Sequence, residues 1–170
     1  MPKVNVDGKD IEFSPGENLI EVARRGGIEI PYFCYHPALT VVAQCRMCAV
    51  DIEKMPKLQT ACSTAAADGM VIKTKSEKAK KNQKAIMEFL LINHPLDCPI
   101  CDQAGECHLQ DLGYENGKQK TRYEFKRRTF DKIDIGDKIK LHMTRCILCY
   151  RCVKVAEQLC PGRVHGVINR

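Results

Sequence analysis

Tryptophan is absent from this chain, and tyrosine and phenylalanine together make up only 6% of its 170 residues. A protein that grips single-stranded nucleic acid stacks bases on aromatic side chains beside its basic groups. The basic stretches "KTKSEKAKKNQK" and "KQKTRYEFKRR" therefore read as solvated faces or docking surfaces for acidic partners, not as a nucleic-acid site. Long apolar runs are also missing. The longest, "AIMEFLLI", is far short of the ~20 residues that span a bilayer, so membrane association is expected only through partners. The N-terminal "MPKVNVDGKD" has no apolar h-region, which leaves the reducing cytosol, or an equivalent matrix, as the expected compartment. No glycine-rich dinucleotide fingerprint follows a strand, and no nucleophile and base stand at a recognisable spacing, so the chain shows no substrate site of its own.

Charge of one sign is missing locally. Residues 85–117 contain 6 acidic side chains and no Lys or Arg, while residues 118–170 contain 14 basic and 5 acidic ones, and the overall +6 conceals this segregation.

Cysteine, by contrast, is abundant. There are 11, an odd number that complete pairing cannot satisfy. In a reducing compartment, closely spaced thiols are more often metal ligands or redox groups than disulfides. They fall into three sets.

The first set lies in an N-terminal segment. Val4 and Val6 alternate against Ile11 and Phe13 around Asp7-Gly8, a hairpin signal. "SPGENLIEVARRGG" predicts a short helix starting at Ser14-Pro15 and stopped by Gly26-Gly27. Strand-like "CAVDIE" and "GMVIKTK" follow, so a small mixed sheet with a helix across it is expected. Within it, Cys34, Cys45, Cys48 and Cys62 are spaced C-x10-C-x2-C-x13-C. Structural zinc sites usually bring two close pairs on two knuckles. Here there is one close pair and a distant fourth thiol, as in plant-type ferredoxins apart from a longer first gap, which favours an iron–sulfur cluster.

The second set is "NHPLDCPICDQAGECHLQDLG". A helix is expected over "SEKAKKNQKAIMEFLLINHP", with Ser76 as N-cap, Ile86, Phe89 and Leu90 on its apolar face, and His94 in the last turn before Pro95. Cys98 and Cys101 follow on a loop, and Cys107 falls in a predicted short helix closed by Gly113. His94 is either a capping side chain at a helix C-terminus or a fourth ligand beside three thiols. Spacing alone leaves a Cys3His zinc site open against an iron–sulfur cluster.

The third set, "RCILCYRC", places Cys146, Cys149 and Cys152 as C-x2-C-x2-C, the opening of the bacterial ferredoxin run. In that run a Cys-Pro follows after three residues. Here Cys160-Pro161 comes after seven, with Val155, Ala156 and Leu159 at helical spacing between, so Cys160 is either a ligand or a small buried thiol.

Taken together, "PYFCYHPAL", "CRMCAVDIE", "QTACST", "NHPLDCPICDQAGECHLQDL" and "HMTRCILCYRC" resemble, in order and over essentially the whole chain, the N-terminal part of the large iron–sulfur subunit of NADH:quinone oxidoreductase, respiratory complex I. The resemblance implies an α+β chain: a β-grasp [2Fe-2S] ferredoxin domain (1-75), a small helical His/Cys3 [4Fe-4S] segment (76-117), a basic connector (118-140) and a partial ferredoxin-like [4Fe-4S] segment (141-170). It implies one [2Fe-2S] cluster on Cys34, Cys45, Cys48 and Cys62, and a [4Fe-4S] cluster on His94, Cys98, Cys101 and Cys107. Cys146, Cys149 and Cys152 would supply three ligands of a second [4Fe-4S] cluster. In that family the fourth arrives downstream, after a glycine-rich stretch that "GRVHGVINR" resembles. Since the sequence stops at Arg170, a fragment is the favoured reading over substitution by Cys160. The implied partners are a flavin-bearing NADH-oxidising subunit and quinone-side subunits, at the cytoplasmic or matrix face of an energy-transducing membrane. The diaphorase part of an NAD-linked hydrogenase or formate dehydrogenase would share this architecture. A zinc-stabilised interaction or nucleic-acid module is the alternative of another class.

Overall fold

A computed structural model gives the fold and describes residues 1–118, 120–162 and 165–167. Gln119, and Arg163, Val164 and Ile168 to Arg170 of the "GRVHGVINR" stretch, lie outside the described residues. The chain forms two compact units, one of residues 1–82 with 149–170 and one of residues 83–148.

The first unit is built on the expected hairpin. β1 (Lys3–Val6) and β2 (Lys9–Glu12) pair antiparallel, with Val4 opposite Ile11. Asp7 and Gly8 both adopt left-handed backbone, φ 48° and 88°, the geometry that lets a two-residue turn follow the strand twist. The Asp7 carboxylate then takes hydrogen bonds from the backbone N–H of Thr74, at 2.8 Å, and from its hydroxyl. This clamps the turn to the end of β5 (Val71–Lys73), which runs parallel to β1. β3 (Ala49–Ile52) adds antiparallel to β5, and a two-residue β4 (Gln59–Thr60), which the sequence pattern did not announce, completes the order β2-β1-β5-β3-β4.

α1 (Leu19–Arg25) buries Leu19, Ile20, Val22 and Ala23 in the same core as Val4, Val6, Val50 and Ile72. It starts at Asn18, not at Ser14-Pro15. Gly16 sits at φ 88°, which no helix can contain, and Ser14 to Glu17 form a turn closed by Glu17 N–H to the Ser14 carbonyl at 3.1 Å. Asn18 Oδ1 instead accepts from the N–H groups of Ile20 and Glu21, both at 3.1 Å, as an N-cap does. Gly26 ends the helix where any Cβ would come within 2.2 Å of Ile11 Cδ1.

α2 (Glu77–Leu91) is capped by Ser76 Oγ, which accepts from Ala79 N–H at 3.2 Å. Its buried stripe is Ala79, Gln83 and Met87, one residue per turn at i, i+4, i+8. The expected face is thus corrected: Phe89 is 69% exposed. The helix also stops at Leu91, leaving His94 beyond it, because a residue before proline is driven out of helical conformation.

In the second unit, α3 (His108–Asn116) does not close at Gly113 but runs through it to a Gly117 C-cap. A Cβ at Gly113 would lie 3.7 Å from Met87 Cε, so the glycine marks where α3 approaches the buried methionine of α2. Cys107 is the N-cap of this helix rather than a residue within it. The basic stretch carries a small hairpin, β6 (Ile133–Asp134) with β7 (Lys140–Leu141). α4 (Arg151–Leu159) belongs to the first unit and buries Val153 and Ala156, while Val155 and Leu159 face outward.

Candidate metal centres

Cys34, Cys48 and Cys62 are buried and Cys45 is half-buried. Their sulfurs form a chain of thiol contacts, Cys45 to Cys34, Cys34 to Cys62, and Cys62 to Cys48. Hydrogen bonds from the Cys45 and Cys62 thiols pull Cys34 down to about 2, with further help from the backbone N–H groups of Cys45 and Gln44. A hydrogen bond from Cys62, joined by the N–H groups of Cys62 and Ala61, lowers Cys48. Cys45 is pushed up by donating to Cys34, and Cys62 by donating to Cys34 and Cys48, with burial adding to both. The two lowered thiols, Cys34 and Cys48, are the acceptors of the chain and the two raised ones its donors, and a metal that binds thiolate would displace the donated protons.

The loop reaches this shape through left-handed backbone at Ala43 (φ 53°) and Arg46 (φ 59°), on either side of Cys45. Such turns gather N–H groups into concavities that suit anionic sulfur clusters. No glycine marks them, so residue types alone do not announce them. Asn82 Nδ2 holds the Arg46 carbonyl at 2.9 Å.

In the second unit, His94, Cys98, Cys101 and Cys107 line one small cavity of about 30 Å3. Cys98 opens a single 3-10 turn, Cys98–Ile100, whose end is tied by Cys101 N–H to the Cys98 carbonyl at 3.3 Å. Gly105, at φ 82°, is held by Gln110 Oε1 at 3.2 Å and turns the chain back so that Cys107 arrives at the start of α3. Burial, then the charge of Arg127, lower the His94 imidazole below its ordinary range against the opposing pull of Asp97. This shift favours the neutral ring, the form that can ligate a metal.

The local absence of cations in residues 85–117 does not survive folding. Arg127 donates to the His94 carbonyl, Arg145 pairs with Asp97 at 3.3 Å, and Lys118 and Arg122 both pair with Glu88, at 3.3 and 2.8 Å. These cations were missed as site residues. The signal that could have found them is the opposite sign of the two adjacent segments.

Of the third set, Cys146 accepts from the N–H of Leu148 at 3.4 Å. Cys149 is half-buried, and Cys152 is exposed on the first turn of α4. Leu148 (φ 54°) and Tyr150 (φ 67°) flank Cys149 in left-handed conformation, repeating the pattern around Cys45. Cys160 is the exposed C-cap of α4. Among the described residues, no three His, Cys, Asp or Glu side chains stand as a ready-made site for a single metal ion.

Three family models match in series: a 2Fe-2S iron–sulfur cluster binding domain over residues 3–77, the NADH-ubiquinone oxidoreductase-G iron–sulfur binding region over 83–122, and the NADH-quinone oxidoreductase subunit 3 ferredoxin-like domain over 136–170. Fold and matches together define an iron–sulfur protein with an N-terminal 2Fe-2S domain followed by 4Fe-4S segments. The G-type subunit of NADH-quinone oxidoreductase from Rickettsia conorii is 46% identical over all 170 residues, and the 75 kDa subunit of NADH-ubiquinone oxidoreductase from Reclinomonas americana is 45% identical over 171. The chain is similar over its whole length to a part of these large iron–sulfur subunits and spans 25% of the length of these relatives. A solved NAD+-reducing [NiFe]-hydrogenase in its H2-reduced state is also similar, with a TM-score of 0.82 and 28% identity over 92% of this chain and 66% of that one. No helix among the described residues is long and apolar enough to cross a membrane.

Proposed function

We propose that this chain is the electron-relay part of an NADH:quinone oxidoreductase. It would take electrons from a flavin-bearing NADH-oxidising subunit and pass them towards quinone-side subunits at the cytoplasmic or matrix face of the membrane. The observation that carries this reading is the serial order of three cysteine sets within regions that match the family's iron–sulfur models in the same order. We assign Cys34, Cys45, Cys48 and Cys62 to a [2Fe-2S] cluster, and His94, Cys98, Cys101 and Cys107 to a [4Fe-4S] cluster. Cys146, Cys149 and Cys152 give three ligands of a further [4Fe-4S] cluster. The divisions 1-75, 76-117, 118-140 and 141-170 follow these assignments.

The residues present suit such groups. Four thiols linked in a chain of contacts, three of them buried, and an imidazole beside three thiols in one cavity are donor sets for soft metals. When bound, the clusters supply one-electron acceptor and donor states. The chain's own part is to fix ligand type, to aim N–H groups at sulfur and to exclude water, the levers that set cluster potentials.

The similarity to the NAD+-reducing hydrogenase favours one second reading, a diaphorase iron–sulfur subunit of an NAD-linked hydrogenase or formate dehydrogenase. Neighbouring genes separate the two: membrane quinone-side subunits support the first, and a nickel or molybdenum catalytic subunit the second.

The test is anaerobic purification with iron, sulfide and zinc measured in one sample, together with His94→Ala. The variant is expected to lose or convert one [4Fe-4S] signal while the [2Fe-2S] signal stays. Zinc without sulfide would overturn the relay reading, and unchanged cluster spectra would remove His94 from the ligand set.

A further inference from the structure

The cavity lined by His94, Cys98, Cys101 and Cys107 has a fifth chemically active wall, Arg145. Its side chain is only 21% exposed, and one guanidinium nitrogen is engaged by Asp97 Oδ2 at 3.3 Å. Its Nε is fully buried and has no hydrogen-bond partner among the described residues. A buried cationic N–H left without an acceptor is costly, so such a group persists where something else accepts from it. Thiolate and sulfide are acceptors, and hydrogen bonds to sulfur together with local charge set cluster potentials.

Asp97 lines the same cavity. The wall therefore carries an ion pair whose two members act on the cavity in opposite senses. Adding an electron makes a cluster one unit more negative, which a neighbouring cation eases and a neighbouring carboxylate resists. Arg145 both supplies the cation and covers the carboxylate. Glu88, another acidic group of this unit, is already matched by Lys118 and Arg122.

We propose that the Arg145–Asp97 pair is the potential-setting device of the His94 cluster, with Arg145 raising its reduction potential and Asp97 lowering it. Arg145 acts as a positioning and charge-supplying residue and is not a ligand. The inference rests on the assignment of a cluster to His94, Cys98, Cys101 and Cys107.

The experiment is an EPR-monitored redox titration of the anaerobically purified chain, as wild type, R145Q and D97N, with iron and sulfide content checked in each. H94C identifies which signal belongs to the cavity. R145Q uncovers the carboxylate and removes the donor, so at fixed ambient potential the reduced-to-oxidised ratio should fall about tenfold, a shift of about 59 mV for one electron. D97N should move the same signal the opposite way, and the [2Fe-2S] signal should not follow either change. A pair that merely holds the loop would move both variants in one direction, which would overturn the proposal, as would unchanged potentials in both. If R145Q fails to assemble the cluster, the sign of the D97N shift alone decides. A wild-type chain with no signal sensitive to H94C defeats the ligand assignment itself. An H94C-sensitive signal indifferent to R145Q and D97N defeats only the tuning role.

Discussion

Arg151 Nη2 donates to the backbone carbonyl of Tyr35 at 2.5 Å, so a side chain from the first turn of α4 is fixed to the residue that follows Cys34. The same guanidinium lies over the Tyr32 ring, 5.9 Å from its centroid, and Thr40 N–H reaches Gln158 Oε1 at 3.4 Å further along α4. The helix next to the third cysteine set thus braces the loop that carries the first.

Removing that brace should weaken the first site. Tyr35 is 3% exposed, so Arg151→Ala leaves its carbonyl buried and short of a partner, at a cost of about 1–3 kcal/mol. We expect a loss of about 2 kcal/mol in denaturant unfolding followed by the [2Fe-2S] absorbance. Arg151→Lys should recover less than half, because an ammonium cannot reproduce the planar stacking on Tyr32. A variant as stable as wild type would show that α4 is not needed to hold the loop.

Asn18 has a second use beyond capping α1. Its Nδ2 donates to Tyr35 Oη at 3.1 Å, and Tyr35 Oη in turn donates to Glu21 at 2.7 Å. Asn18→Ala therefore removes a helix cap and a link to the cluster loop together. The cap alone is worth about 1 kcal/mol, and we expect about 1–2 kcal/mol in thermal unfolding of the holo chain. Asn18→Asp retains the acceptor for the helix N–H groups and should lose less.

What the sequence made legible, and what it hid, divides along physical lines. The hairpin, the mixed sheet with its helix and the three cysteine sets could be read because each rests on local periodicity, turn chemistry or ligand spacing. The start of α1 was misplaced because Ser14-Pro15 looks like a helix opening, whereas the left-handed Gly16 decides against it. The buried face of α2 was misread because Phe89 is more hydrophobic than Gln83, yet Gln83 is buried and Phe89 is not. Most hidden were the cations. Arg127 and Arg145 reach the His94 site from 33 and 48 residues away, to His94 and Asp97 respectively, and spacing rules see only neighbours. Left-handed Ala43, Arg46, Leu148 and Tyr150 escaped notice for a different reason, since none is a Gly, Asn or Asp, the residue types that advertise that conformation in a sequence.

Cys160 should be dispensable. It is exposed at the far end of α4, and seven residues of helix lie between it and Cys152, a rise of about 12 Å over the eight steps. A cubane needs its thiolates on one compact body, and a ligand that far along a rigid helix would have to unwind α4 and expose Val153 and Ala156. Cys160→Ser is therefore expected to leave iron, sulfide and all cluster signals unchanged. Loss of a [4Fe-4S] signal in that variant would make Cys160 a ligand and require α4 to rearrange on assembly.

Metal content then follows from the ligand sets. The buried four-thiol loop and the His94 cavity each offer a full complement of donors, whereas Cys146, Cys149 and Cys152 offer three, with Cys160 set apart by the helix. Anaerobically purified chain should accordingly hold about six irons with matching sulfide, two in the first site and four in the second. Iron and sulfide assays on the wild type and on Cys146→Ser check this, and the variant should match the wild type. About ten irons in the wild type, falling to about six in Cys146→Ser, would instead mean that the third cluster assembles on this chain. In that case its fourth ligand must be sought by substituting Cys160, or among groups other than cysteine.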